Sequence, residues 1–519
     1  CNSISRAAET ISLIAYSTPA TFFDIFMIKT IFTVLNAYLL LFLGSLVLKE
    51  VTISNDASHN IVNEMMELMH ELYPICRSIT GNGVRETLKI IRKHISIEKF
   101  EIASGRKVFD WTIPDEWNIF DGYIINPNGE KIIDFKKLNL HVVNYSTPID
   151  ITIELSELKK HIFTDPDMPN AVPYVTSYYK RNWGFCMTHN QLLGLEDGNY
   201  KVKIDSVLKP GYLTYGEFFK KGREKNEILI STYICHPSLC NDNLSGIVFC
   251  TMLGKFLENF SFNHSIRFLF IPETIGAITW LSLNEKNIHR IKHGLNISDI
   301  GNKGNLIYKK SRRGNTETDK TITRVLNKID NNSKIIEFFP YGSDERQYCS
   351  PGLNLPIGHF MREFYDISAN GVQKSGYHTS ADDFSVISQD SLEEALKICV
   401  KIISEIDNSE MNNMKDVKTN NTSKKKIDFR NEQYYYNLKP KCEPQLGKYN
   451  IYEEIGGTYN LEKKEMKFAI LWVLNFSDGE NSLQNIAQKS KIDLEIIQNA
   501  ASILKEKGLI SEFNNNSEN

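Results

Sequence analysis

The sequence predicts an α/β fold: a mixed sheet flanked by helices, carrying a β-rich insertion and followed by a winged-helix-like unit. Three observations lead there. From Glu227 onward apolar strands alternate with helical stretches: EILISTYICH, a helix over Ser245–Phe260, SIRFLFIPE, and a further helix from near Gly276. Such alternation builds a sheet that presents ligands at the carboxyl ends of its strands. Between 108 and 207 the pattern breaks into short β-like runs with turn signals, such as GYIINPNGEKIID and YKVKIDSVLKPG. Beyond residue 436, three helical stretches and a short strand follow one another, which is a winged-helix order.

With 519 residues the chain exceeds one ordinary core, because domains hold about 100–200 residues each. Its first segment, 1–54, contains the run from Ile31 to Leu48, IFTVLNAYLLLFLGSLVL, eighteen residues without a charge. That is just long enough to cross a bilayer. Lys29 and Lys49 flank the run almost symmetrically, so charge gives no orientation. A membrane anchor on the cytoplasmic side and an extension foreign to the folded protein are both compatible with it, as is lipidation at Cys1.

Residues 55–107 and 208–408 form the main domain. It opens with Ile61, Met65, Leu68, Met69 and Leu72 at helical spacing, then a glycine-rich turn into a second helix. The insertion occupies 108–207. The polar, apolar-poor run DNSEMNNMKDVKTNNTSKKK makes 409–435 a linker, and 436–515 the winged-helix-like unit. Between Glu462 and Ser511 seven Lys are balanced by seven Asp or Glu. The positive charge that dominates DNA affinity is therefore missing, and the unit is expected to pack or to dock a partner, with no nucleic acid.

Globally, 41% hydrophobic and 24% charged residues with a net charge of −3 describe a soluble globular chain and exclude one that wraps polyanions. Nine cysteines scattered without CxxC pairs argue against a disulfide framework and against a cysteine zinc site. They point to a reducing cytoplasm.

Three motifs carry chemistry. In CHPSLCNDNLSG, at the end of an apolar strand, the imidazole of His236 and the carboxylate of Asp242 can converge on a divalent cation; taken alone, Asp242 reads equally as a helix N-cap. In FLFIPETIGAI, Glu273 leaves a strand at the functional edge of the sheet, where it can move a proton. In SGYHTSADDF, His378 follows Tyr377 in a polar loop before the last helix of the domain. A lone histidine says little, but this one completes a set of His, Asp, Glu and His at strand-to-loop transitions.

HP…NDNLSG, PETIG and YHTSAD resemble the motifs of the zinc aminopeptidases that include bacterial leucyl aminopeptidases and glutamate carboxypeptidase. The resemblance is to a bacterial branch often encoded near polysaccharide-biosynthesis genes. LYPICRSITGNGVRETL, FDWTIPDEWNI, PYVTSYYKRNWGF, SDERQYCSPG and EPQLGKYNIY also recur in that branch, so the match runs from about Glu64 to Tyr452. It implies a zinc-exopeptidase-like fold, with His236 a ligand of one zinc, Asp242 a bridging carboxylate, Glu273 the general base and His378 a ligand of the second zinc. Tyr377 would stabilise the oxyanion.

Two departures matter. The larger family places a second carboxylate after the glutamate, and here that position is Thr274, a poor zinc ligand; one zinc is expected and a second site is weak or absent. The middle aspartate falls on Asp299, or on Asn302 by the branch's own spacing. Asp344, Arg346 and Arg362 are expected around the substrate, Asp344 holding a free amine or supporting the metal shell and an arginine clamping an anion. The implied reaction is hydrolysis of an amide in a peptide or small molecule with a free amine, including an amino-sugar or surface-glycan precursor. The competing reading is a descendant that binds but does not catalyse.

A form of the protein starting near Asn55 is expected to be soluble and monodisperse and to keep its zinc. The main domain begins with its own amphipathic helix, and an unpartnered apolar run must enter a bilayer or aggregate. Gel filtration and metal analysis check this; precipitation or metal loss on truncation would make residues 1–54 part of the fold.

Overall fold

In a computed structural model of the chain, the described residues are 51–329, 332–363, 366–368, 371–373, 376–413, 432–451 and 464–513. The apolar run Ile31–Leu48 and most of the expected linker lie outside them. Among the described residues no helix is long and apolar enough to cross a membrane.

The apolar strands form one eight-stranded sheet. In chain order these are β1 (Glu98–Ala103), β2 (Tyr212–Lys220), β3 (Glu227–Tyr233), β4 (Ser265–Ile271), β5 (Ile291–Ile297), β6 (Leu306–Lys309), β7 (Lys334–Ile336) and β8 (Ile357–Arg362). Their spatial order is β1-β2-β4-β3-β5-β8-β6-β7. The central run β4-β3-β5-β8 is parallel, and antiparallel pairs join it to β2, β1 and β6. Every residue of β3 is buried, as a parallel strand covered on both faces requires.

The main domain's longer helices are α1 (Asn55–Leu72), α2 (Asn82–Ile91), α3 (Gly246–Leu257), α4 (Ile275–Asn284), α5 (Glu317–Ile329) and α6 (Gln389–Asn413). Helix α1 buries Val62, Met65, Leu68, Met69 and Leu72, a stripe at helical spacing, and Ser54 caps it by accepting from the Ala57 N–H at 3.3 Å. Because α3 follows β3 and α4 follows β4, the two intervening loops leave adjacent parallel strands at the same edge of the sheet.

The insertion leaves after β1 and returns at β2. It is an antiparallel sheet in the order Lys131–Asp134, Glu116–Ile125, Asn199–Lys209, Ile149–Glu154, with a core that includes Ile124, Ile133, Phe185, Val202 and Ile204. Arg85 of α2 fastens it to the main domain. Its two terminal nitrogens donate to the two oxygens of Glu116 at 2.7 Å each, and its Nε donates to Glu101 of β1 at 2.6 Å.

The C-terminal unit comprises β9 (Tyr434–Asn437), α7 (Lys464–Phe476), β10 (Asp478–Ser482), α8 (Leu483–Ser490), α9 (Leu494–Glu506) and β11 (Ile510–Glu512), with its strands in the order β10-β9-β11. It is a winged helix whose core is not separate. Phe338 and Cys349 of the main domain belong to the same buried cluster as Val473, Ile486, Ile497 and Leu504, and Arg312 donates to Asn475 (2.9 Å) and pairs with Asp478. On α9 the solvent-facing side chains include Glu495, Gln498, Asn499, Ser502 and Lys505, and Lys505 is paired with Glu512 at 2.7 Å.

Arg85 holds the Glu116 carboxyl at about 2, below its ordinary 4.5. A group depressed in the folded state contributes stability above its unfolded value and loses it as pH falls through the folded one. Glu116→Gln is therefore expected to cost about 1–2 kcal/mol at pH 7, with the difference from wild type vanishing between pH 4.5 and about 2. Denaturant melts across that range measure it, and a pH-independent difference would mean the charge contributes nothing.

Candidate metal centre and active site

Strand β3 ends at Tyr233, and His236 follows three residues later in a turn held from below. Arg77, wholly buried between α1 and α2, donates through Nε to the His236 carbonyl at 2.9 Å and through Nη1 to the Leu72 carbonyl at 2.7 Å. Burial lowers the His236 imidazole to about 4, leaving it neutral with a lone pair to offer.

The loop from Asn241 to Ser245 is fixed by its own polar side chains. Asn243 donates to Thr232 Oγ1 and to the Tyr233 carbonyl, both at 2.9 Å, and accepts from the Asp299 N–H at 3.1 Å. Ser245 and Asn241 accept from the N–H groups of Ile300 (3.0 Å) and Gly301 (2.9 Å). Gly246 is needed where α3 begins, because a Cβ there would sit 2.3 Å from Asn243 Oδ1. From the far side Asp382 receives the N–H of Asn241 (2.7 Å) and of Asp242 (2.9 Å) on its two oxygens.

Asp242 is fully buried. Its Oδ1 accepts from the Tyr233 hydroxyl at 2.5 Å. Its Oδ2 lies 3.0 Å from Nε2 of His378, yet neither atom has a hydrogen-bond partner among the described residues. Burial opposes its ionisation, but the imidazoles of His236 and His378 and the Tyr233 hydroxyl hold the carboxyl down to about 2. His236, Asp242 and His378 each offer a ligand atom within 4.8 Å of the others. These three are the residues that would hold a divalent cation, imidazole and carboxylate being the donor types that zinc takes. The two histidines expected to serve two metals thus border one volume.

Glu273 leaves β4 beside this group, its Oε2 4.0 Å from His236 Nε2 and its side chain 28% exposed. Burial, with Asp242 nearby, raises its carboxyl to about 7 against the opposing charge of Arg346. Tyr377 stacks on His378, ring centroids 3.9 Å apart, and burial pushes its phenol well above 10. Tyr174 of the insertion approaches both imidazoles, 5.0 Å from His236 and 5.4 Å from His378. His378, Asp299 and Thr274 all adopt positive φ, 56°, 56° and 63°, a conformation that costs non-glycine residues about 1–3 kcal/mol and collects at functional sites.

The other expected residues are placed differently. Asp299 lies next to the centre but outside the three-residue group; its Oδ2 accepts from Ser298 (2.6 Å) and faces the Tyr233 hydroxyl (3.3 Å). Asn302 accepts from the Gly304 N–H within its own loop. Thr274 presents only a hydroxyl, in contact with Arg346 Nη2 at 3.3 Å. Asp344 is fully buried and accepts the Thr274 N–H at 2.6 Å, so it shapes the turn after Glu273. Arg346 pairs with Glu443 from the C-terminal side of the chain. Arg362 donates through its terminal nitrogens to the Gly304 and Ser391 carbonyls and to Glu394.

Arg77, Tyr233, Asp382 and Glu443 had no assigned role in the sequence. Asp382 stands inside the YHTSAD motif, where an acidic residue four places after a ligand histidine was the available signal. For Tyr233 and Arg77 the local pattern shows only a strand end and a turn.

The sequence matches the family model described as "Domain of unknown function (DUF4910)" over 66–409 and a winged helix-turn-helix model over 433–512. A Clostridium acetobutylicum protein, whose name refers to polysaccharide biosynthesis and to an aminopeptidase-like domain, is 48% identical over 441 residues, 85% of this chain and 94% of that one. A crystal structure from the same organism, described as a candidate peptidase, matches with a TM-score of 0.65 at 45% identity, covering 88% of this chain and 97% of that one. BSAP, a zinc aminopeptidase from Bacillus subtilis, matches with a TM-score of 0.50 at 14% identity over 67% of this chain and 95% of its own. At that identity the likeness is one of fold.

Asp382→Asn keeps the volume but sets an amide N–H against one of the two backbone donors. It is expected to weaken binding of a divalent cation at the three-residue group by about 10–100-fold, the range for residues that orient ligands, with the fold retained. Competition with a chelating indicator measures this; unchanged affinity would remove Asp382 from the support of the centre.

Proposed function

This chain belongs to the family described as "Domain of unknown function (DUF4910)", and we propose that it is a zinc-dependent amide hydrolase built on an aminopeptidase-like domain. One observation carries the reading: the buried, ionised carboxylate of Asp242 turns its Oδ2 to within 3.0 Å of His378 Nε2, with His236 in the same three-residue group. A buried anion needs compensating partners, and a divalent cation is one that this carboxylate and the two imidazoles are suited to hold.

When bound, zinc supplies Lewis acidity, polarising a scissile carbonyl and making water a better nucleophile near neutral pH. The chain's own residues do the rest. Glu273, raised to about 7 and partly exposed, takes a proton from the attacking water and returns it to the departing nitrogen. Tyr377, which keeps its proton, donates to the carbonyl oxygen as charge develops there. Thr274, Asp344 and Arg346 hold the Glu273 turn in place.

The substrate we propose is a small amide, with an amino-sugar or surface-glycan precursor favoured over a peptide N-terminus. The relative's name supports the glycan connection, and the enclosure of Asp344 removes the carboxylate best suited to a free α-amine. The free cysteines support a reducing cytoplasm, and the paired lone lysine on the face of α9 supports a role without nucleic acid. Thr274 favours a second reading, a binding protein that has lost catalysis. Zinc-replete protein assayed on a panel of N-acyl amino sugars and aminoacyl amides separates the two: turnover supports the hydrolase, and saturable binding without turnover supports the alternative.

Glu273→Gln is expected to keep one zinc and to lose about 10²–10⁴-fold in turnover, because an amide of the same shape cannot accept the proton. His236→Ala should lose metal and turnover together. Steady-state rates beside metal analysis decide it, and a Glu273→Gln protein as active as wild type would displace Glu273 from the role of base.

A further inference from the structure

We propose that the Tyr233 hydroxyl occupies the place of a second metal ion and thereby fixes the centre as mononuclear. The inference rests on the metal reading above and goes beyond the loss of a ligand at Thr274. Tyr233 is the last residue of β3, 3% exposed, with its ring centroid 5.0 Å from that of His236. Its oxygen stands 2.5 Å from Asp242 Oδ1 and 3.3 Å from Asp299 Oδ2. A zinc ion shared by these two carboxylates would need each oxygen at about 2.0–2.2 Å. The hydroxyl oxygen already fills that gap, so ion and hydroxyl exclude one another.

The surroundings keep the hydroxyl where it is. The ring belongs to the buried cluster that includes Leu229, Leu269 and Ile271, so it cannot swing out without opening the core. Ser298 donates to Asp299 Oδ2 at 2.6 Å and holds that carboxylate in place. The two oxygens of Asp242 therefore divide their work: Oδ1 receives the phenol proton, and Oδ2 stays open toward His236 and His378. Thr274 stands on the Glu273 turn, in contact with Arg346 and Asp344, and is no partner of the position between Asp242 and Asp299, so its lack of a carboxylate leaves that position's two ligands in place and Tyr233 alone closes it.

The test is the zinc stoichiometry of the full chain, stripped with chelator, reloaded with excess zinc, desalted and analysed. Wild type is expected to hold one equivalent. Tyr233→Phe removes the oxygen but keeps the ring, leaving an ion-sized opening between two carboxylates that have lost their shared donor, and is expected to hold two. The double variant with Asp299→Asn should return to one. A folded Tyr233→Phe that stays at one equivalent overturns the proposal, and so does a wild type that holds two. If Tyr233→Phe fails to fold, Asp299→Asn alone decides: it should keep the single equivalent, and its loss would make Asp299 a ligand and overturn the division of roles. A wild type that binds no zinc would instead sink the metal reading and the hydrolase with it, a result distinct from two equivalents, which leaves the hydrolase standing.

Discussion

Parallel pairing of β3 with β4 sets Tyr233 opposite Ile271, so the chain leaves both strands at one edge of the sheet and in one direction. The candidate centre depends on that geometry. The loop after β3 carries His236 and Asp242, the turn after β4 carries Glu273, and β5, parallel to β3 on its other side, delivers Ser298 and Asp299 to the same edge. Hydrogen bonding between strands thus converts residues tens of positions apart into neighbours. Helix α3 then starts hard against Asn243, which is why Gly246 stands at its first position.

Gathering carboxylates at a dry edge raises an electrostatic problem, and the way it is met singles out one of them. Removing an ion from water costs several kcal/mol even after relaxation, and Asp242, Asp299, Asp344 and Asp382 are all buried. Burial pushes Asp299 and Asp344 well up and Asp382 to about 7, opposed in each case by the donors they accept from. Asp242 alone is driven the other way, to about 2. It is the buried anion of the set, and its open oxygen faces the imidazoles. Cation binding would add to the compensation that the imidazoles and the Tyr233 hydroxyl give this charge, which links metal affinity to local stability.

The sequence made part of this legible. Strand periodicity followed by His, Asp or Glu at the strand end was enough to mark His236, Asp242 and Glu273, because a parallel strand has one functional end. His378 needed the company of the other three. What escaped was anything depending on which way a side chain points across the fold. Asp344 sits in a polar stretch that looks exposed, yet it is sealed under the Glu273 turn, and Arg362, at the end of an apolar strand, donates to helix α6 and the 302–305 loop. Tyr233 looked like one more apolar strand residue until β5 brought Asp299 within reach of its hydroxyl. Arg77 and Asp382 act on backbone groups more than a hundred residues away, a relation that no local pattern encodes.

The winged helix is where pattern and physical role diverge most. Its order of helices and strands was readable, and so was its lack of surplus positive charge. Its placement was not, because that is decided by Phe338 and Cys349, main-domain residues that complete its core. Tyr341, three residues beyond Phe338, packs edge-on against Phe468 of α7, and the same stretch of chain continues to Asp344, which holds the Thr274 N–H, and to Arg346, which touches the Thr274 hydroxyl and pairs with Glu443. A short, continuous run of main-domain residues therefore has one end in the winged-helix core and the other at the turn that aims Glu273. A unit joined in this way cannot shift without moving that turn, because closely packed contacts transmit displacement. The C-terminal unit packs as a wall against the segment that leads to the candidate site, its winged-helix core shared with the main domain.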